Sequence, residues 1–208
     1  MKDSLKLKVC GMRNAANIVQ VAALHPAYMG FIFYPASPRY VGEEFEIPED
    51  FPTDVKKIGV FVNAGTQEML RLTNRYALDI LQLHGHESPE QVSELKNEGM
   101  KIIKVFPVGD DFDFSITAPY EPVVDFFLFD TKGKYYGGNA QAFDWSIMKL
   151  YNQHVPFFLS GGITPQNVTG IRLLHDMNLH ALDINSGVEI EPGIKSIDKI
   201  KAIQNYLN

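Results

Sequence analysis

The sequence predicts a (β/α)8 barrel, and three observations predict it. Eight short runs rich in β-branched and aromatic residues recur along the chain, most are continuously apolar, and helix punctuation falls between them. Continuous apolar runs are how strands covered on both faces of a parallel sheet read. An open doubly wound sheet is the alternative, but the chain has neither G-x-G-x-x-G nor G-x-x-x-x-G-K-[ST], the two commonest phosphate loops of such sheets.

In chain order the strands are read in LKVCGM, YMGFIFY, KKIGVFV, ILQLHG, IIKVFPV, FFLFDT, PFFLSGG and ALDINSG. About eight helices are expected between and after them. SPEQVSELKNEG opens with Ser88 as N-cap, Pro89 in the first turn and Gln91 completing a capping box, and it stops at Gly99. TPQNVTGIRLL carries Val168, Ile171 and Leu174 at helical spacing, and SIDKIKAIQNYL repeats the pattern with Ile197, Ile200 and Ile203. Helical character is weakest in EEFEIPEDF after the second strand and in DDFDFSITAPYEP.

The 208 residues have no low-complexity tract or composition shift that marks a linker, so residues 1–208 are read as a single domain. A net charge of −6 argues against nucleic acid held by a general basic field, so any phosphate binding must be local. The lone Cys10 excludes an internal disulfide framework and fits a reducing cytoplasm. No run approaches the ~18 apolar residues of a membrane span, and no secretory leader is visible.

In such a barrel the site is built at the C-terminal ends of the strands. That rule selects Cys10 after strand one, Arg39 after strand two, His84 after strand four and Asp130 after strand six. It also selects SGG (160–162) and NSG (185–187) after strands seven and eight. Small residues in those last two loops let backbone N–H groups approach a phosphate, although glycine also serves plain turns there. Cys10 reads either as a small buried hydrophobe or as a thiolate base. Asp130 follows an apolar run that would disfavour ionisation, as a general acid requires. Its structural alternative is a carboxylate satisfied by a following N–H or by Lys132. Arg39, in a loop stiffened by Pro35 and Pro38, suits a bidentate contact with an anion or a surface salt bridge. His84 and His86 are two apart, but the strand ends at Gly85 and no further ligands are in sight, so no metal and no cofactor is expected.

KVCGM, GFIFYPASPRYV, GVFVN, LQLHG, FDT with GG and FDW, LSGGITPQNV, and DINSGVE with PGIK occur in order along almost the whole chain. On these motifs the sequence resembles the phosphoribosylanthranilate isomerases of tryptophan biosynthesis. The resemblance implies an Amadori rearrangement of N-(5-phosphoribosyl)anthranilate to 1-(2-carboxyphenylamino)-1-deoxyribulose 5-phosphate, with Cys10 as general base and Asp130 as general acid. Arg39 would hold the anthranilate carboxylate. Gly161, Gly162, Asn185, Ser186 and Gly187 would hold the phosphate, with Asp183 counted among the substrate-binding residues. Residues 132–142, with Tyr135 and Tyr136, would cover the substrate. The expected partner is this small phosphorylated molecule, with no nucleic acid or membrane, and the chain would be a monomer or homodimer. Departures from the family pattern are GGNAQAF with one glycine fewer, Asn185 for the usual serine, and Ser196 for the usual aspartate. The alternatives are a phosphosugar isomerase of the histidine-biosynthesis type, whose members use an aspartate pair, and a non-catalytic barrel that binds a phosphorylated ligand.

Overall fold

The structure, a computed structural model, describes residues 5–132 and 143–207. Eight parallel strands close into a barrel: β1 (Lys6–Val9), β2 (Tyr28–Ile32), β3 (Lys56–Phe61), β4 (Ile80–Leu83), β5 (Lys101–Val108), β6 (Phe126–Thr131), β7 (Phe157–Leu159) and β8 (Leu179–Ile184). Each lies in or overlaps one of the eight apolar runs. Closure is made by β1 against β8, with Lys6 opposite Ala181 and Val9 opposite Ile184.

Strand side chains alternate between two packing volumes. Outward residues such as Val9, Phe31, Phe61, Phe127 and Phe129 pack with the surrounding segments in one continuous core. Inward residues, including Ile58, Val60, Ile80, Val105 and Leu128, fill the barrel axis. Tyr28, Phe126, Phe158 and His180 close the N-terminal end. Phe126 and His180 have ring centroids 4.4 Å apart, and Tyr28 Oη lies 2.8 Å from His180 Nε2. With that end plugged by rings, access to the axis is from the C-terminal ends of the strands.

Among the described residues four segments are α-helical: α1 (Ala15–Ala22), α2 (Thr66–Tyr76), α3 (Pro89–Asn97) and α4 (Ile197–Leu207). This corrects the expectation of about eight. No helix separates β2 from β3, and Phe114–Val123, Trp145–Leu150 and Val168–Leu174 are 3-10 segments. Pro119 and Pro122 lie inside the first of these, where they remove N–H donors that an α-helix needs. TPQNVTGIRLL is therefore not the α-helix its spacing suggested. Its Gly170 packs where an added Cβ would stand 3.1 Å from the Trp145 ring, and Asn167 Oδ1 is taken by the Thr164 N–H rather than capping the segment.

The caps that the sequence announced are partly made. Ser88 Oγ accepts the Gln91 N–H at 3.4 Å, but the Gln91 amide donates to Ala64 O instead of returning to Ser88, so only half of the capping box forms. Ser196, where aspartate was the family habit, accepts the Lys199 N–H at 3.4 Å at the start of α4. A two-stranded hairpin, β9 (Glu189–Glu191) and β10 (Ile194–Lys195), follows β8 and had no counterpart in the sequence reading. Of the cover expected over 132–142, only Lys132 is among the described residues; Tyr135 and Tyr136 lie outside them.

Candidate active site

Cys10 extends β1 by one residue, since its N–H donates to Ile184 O of β8 at 2.9 Å. Its side chain therefore points inward, like that of Lys8 two residues earlier. Gly30 on the neighbouring β2 leaves the space that the thiol fills: a Cβ there would stand 2.7 Å from Cys10 Sγ. Gly11 turns the chain away with φ +75°, and a Cβ on it would meet both Arg39 and Asn185 at 2.8 Å.

Asp130, the fifth residue of β6, also points inward. Oδ1 accepts the Thr131 N–H at 2.9 Å, and Oδ2 lies 3.6 Å from His84 Nε2. Burial, then the nearby Asp183 carboxylate, push Asp130 up to about 6, outweighing the Thr131 and Ser160 hydrogen bonds. The structural alternative is thus half realised: the following N–H does bond the carboxylate, while Lys132 runs beside Gly109. Neither prevents the acid from holding a proton near neutrality.

His84 is held neutral, with its pKa lowered to about 3 by burial first and then by Lys104 and Lys8. Its approach to Asp130 is therefore not an ion pair at neutral pH. It is set in place by a buried knot in which Glu87 accepts the Asn63 N–H at 2.9 Å and Lys104 Nζ at 2.8 Å, tying the loop after β3 and the turn after β4 to β5. His86 is exposed, and its N–H donates to Asn63 Oδ1. Among the described residues no three His, Cys, Asp or Glu side chains are grouped to hold a metal.

The phosphate candidates follow β7 and β8, which lie between β6 and β1 in the closed barrel. Gly161 has φ +91° and a Cβ on it would fall 2.1 Å from Thr131 Oγ1, and a Cβ on Gly187 would fall 2.0 Å from Ile163 O, so both positions exclude a side chain; Gly162 has φ +64°. Gly161, Gly162, Asn185, Ser186 and Gly187 line one cleft with Cys10, Asp130 and His84.

Arg39 does not line the cleft. Its guanidinium is bidentate to Glu189, Nε to Oε1 at 2.8 Å and Nη2 to Oε2 at 2.7 Å. A substrate carboxylate would have to take the remaining Nη1 or compete with Glu189. Glu189 also accepts Lys195 Nζ at 2.6 Å, and Lys195 in turn donates to Asn185 Oδ1 at 2.6 Å. Burial lowers Lys195 to about 8 despite Glu189. Asn185, which stands where serine is usual, thus bonds a buried ammonium.

Several inward or buried polar residues escaped the sequence reading, Lys8, Gln82, Glu189 and Lys195 among them. Lys8 Nζ donates to Asp183 Oδ2 at 2.8 Å, both groups being buried. Burial, which pulls Lys8 down, is outweighed by Asp183 and Cys10, so the ammonium is raised above its ordinary range. Burial also pushes Asp183 up, against Lys8. Lys8 therefore presents its ammonium to Asp183. Asp183 Oδ1 and Gln82 Oε1 are buried without hydrogen-bond partners among the described residues, and both residues line the cleft. Lys8 was legible only as a charge two residues before Cys10 on an inward face. Glu189 and Lys195 belong to a hairpin that periodicity did not reveal.

A sequence model of the family described as N-(5'phosphoribosyl)anthranilate (PRA) isomerase matches residues 7–205. The N-(5'-phosphoribosyl)anthranilate isomerase of Parabacteroides distasonis is 48% identical over 198 residues, covering 94% of this chain and 90% of that protein. The enzyme of the same name from Paramagnetospirillum magneticum is 40% identical, covering 95% and 94%. The crystal structure of phosphoribosyl anthranilate isomerase from Thermotoga maritima superposes with a TM-score of 0.83 at 31% identity, over 98% of each chain. A phosphoribosyl anthranilate isomerase in complex with reduced 1-(o-carboxyphenylamino)-1-deoxyribulose 5-phosphate superposes with a TM-score of 0.79 at 30% identity, over 96% of each. With a family match spanning nearly its whole length and relatives this similar, the chain belongs to the N-(5'-phosphoribosyl)anthranilate isomerase family.

Proposed function

We propose that the protein is the isomerase of tryptophan biosynthesis that converts N-(5-phosphoribosyl)anthranilate to 1-(2-carboxyphenylamino)-1-deoxyribulose 5-phosphate, with Asp130 as general acid and Cys10 as general base. The observation that carries the assignment of roles is the pair itself. A buried carboxyl poised at about 6 and the chain's single thiol line one cleft with the glycine loops that follow β7 and β8.

Asp130 gives its proton to the furanose ring oxygen as the C1′–O bond breaks, and the nitrogen lone pair forms the C1′=N bond. Cys10 as thiolate takes the C2′ proton; the C–H electrons become the C1′=C2′ bond, and the imine π electrons return to nitrogen. The resulting enolamine loses its O2′ proton and gains one at C1′, giving the ketone. Atoms balance within the substrate, and the protonated imine is the electron sink. The glycine loops would hold the phosphate and Arg39 the anthranilate carboxylate, which fixes C2′ and the ring oxygen between base and acid.

The test is turnover of phosphoribosylanthranilate generated in situ, followed by loss of its fluorescence and identification of the ketose, for wild type, Cys10→Ser and Asp130→Asn. Conversion by wild type that falls by about 10²–10⁴ in each variant is expected. A folded wild type that converts none overturns the assignment.

A further inference from the structure

We propose that Lys8 is a positioning residue whose buried ammonium, pinned to Asp183 at 2.8 Å, stabilises the Cys10 thiolate from one strand repeat below. This rests on the reading of Cys10 as the base.

Lys8 and Cys10 share the inward face of the extended β1, and Asp183 is the register partner of Lys8 on β8. A fully buried lysine is expensive, and an apolar pair would serve packing at least as well, so the charge needs another use. The lysine has three N–H donors. One is spent on Asp183 Oδ2, and Cys10 follows two residues on along the same inward face. The second carboxylate oxygen, Oδ1, has no partner among the described residues.

Among the other charged groups around the thiol, Lys195 on β10 also favours the thiolate, less than Lys8 does, while its ammonium is engaged by Glu189 and Asn185; Arg39 is bidentate to Glu189. His84 is neutral, the Asp183 carboxylate opposes a thiolate, and Asp130 carries its proton in the competent state. Burial raises the Cys10 thiol above its ordinary range, and Lys8 is the largest influence opposing that rise.

The consequence is quantitative. Competent enzyme needs Asp130 protonated and Cys10 ionised, which is the minor combination when the acid sits near 6 and the thiol sits high. Between those two values the competent fraction is the ratio of their ionisation constants, so each pH unit added to the thiol costs about tenfold in rate.

Cys10 is the only cysteine, so the ultraviolet absorbance of the thiolate, taken as a difference from Cys10→Ser, titrates this group alone. Lys8→Met is expected to raise the midpoint by about one pH unit or more. Plateau kcat/KM should fall by the matching factor through kcat, with KM little changed. Asp183→Asn, nearly isosteric, frees the ammonium from its carboxylate and should lower the midpoint. Opposite shifts are not expected of a merely structural pair. A midpoint unmoved in a folded Lys8→Met protein overturns the proposal. So does an upward or absent shift in Asp183→Asn, which decides the matter alone if Lys8→Met does not fold. The titration needs no substrate: loss of turnover in wild type would sink the isomerase reading and leave the Lys8 result standing.

Discussion

Gly30 of β2 faces the Cys10 thiol so closely that a Cβ on it would stand 2.7 Å from Sγ, inside any distance real carbon atoms adopt. The glycine therefore sets the thiol's position rather than a turn, since its φ is not in the left-handed region. Gly30→Ala adds one methyl at a buried position in the middle of β2, where it must rotate or push Sγ. A misplacement of this kind is expected to lower kcat by about 10²-fold. Steady-state kinetics beside near-ultraviolet circular dichroism check it; wild-type kcat in a folded variant would show that the thiol's placement does not matter.

The pH dependence of kcat/KM follows from the same site. With Asp130 at about 6 and Cys10 above the ordinary thiol range, activity should be level between these values. Below about 6 the acid is already protonated and the thiolate fraction keeps falling, so the rate drops tenfold per pH unit. Above the thiol's value Cys10 is already ionised and Asp130 keeps losing its proton, so the rate drops again. A profile with a sharp optimum near pH 7, rather than a plateau running to high pH, would contradict this ordering.

The barrel was legible because eight apolar runs are a strong signal, and the C-terminal rule then located Cys10, Asp130 and both glycine loops. The helical layer was not, because spacing in TPQNVTGIRLL records which residues face the core, and a 3-10 segment buries Val168, Ile171 and Leu174 as well. Lys8, Glu189 and Lys195 were missed for other reasons. Lys8 and Glu189 take their meaning from partners distant in sequence, 175 residues from Lys8 to Asp183 and 150 from Glu189 to Arg39, whereas Lys195 bonds Glu189 and Asn185 nearby across a hairpin that periodicity did not reveal.

Glu189 is the joint that one substitution can open. Burial alone would raise its carboxyl, but the Arg39 and Lys195 contacts overcome that and hold it down at about 2. Its side chain is 6% exposed, so water screens little of this. A depressed carboxyl contributes stability that is present above its unfolded value near 4.3 and is lost as pH falls towards 2. Glu189→Gln leaves two buried cations sharing a neutral amide, which should cost about 3 kcal/mol, or roughly 6–12 °C in Tm at neutral pH. Thermal melts should also find the gap between variant and wild type shrinking below about pH 4; a gap independent of pH would mean the carboxylate's charge is not what matters.

Asp130 works in the opposite direction, and its substitution should trade activity for stability. Its folded value of about 6 lies above an unfolded value near 3.9, so the folded state binds more protons than the unfolded state between the two. Stability therefore falls as pH rises through that window: nothing is lost below about 3.9, and the full penalty, up to about 3 kcal/mol, stands above 6. An asparagine at this position has no charge to lose, and its side-chain oxygen can still accept the Thr131 N–H that Asp130 accepts. Asp130→Asn should accordingly melt several degrees above wild type at about pH 8, match it at about pH 4, and be nearly inactive throughout. Paired melts at the two pH values decide the point. A gain that persists at low pH would assign it to packing, and no gain at high pH would mean that the buried carboxylate is solvated well enough in the folded cleft to ionise without cost. In that case the acid would not hold its proton near neutrality, and another group would have to protonate the ring oxygen.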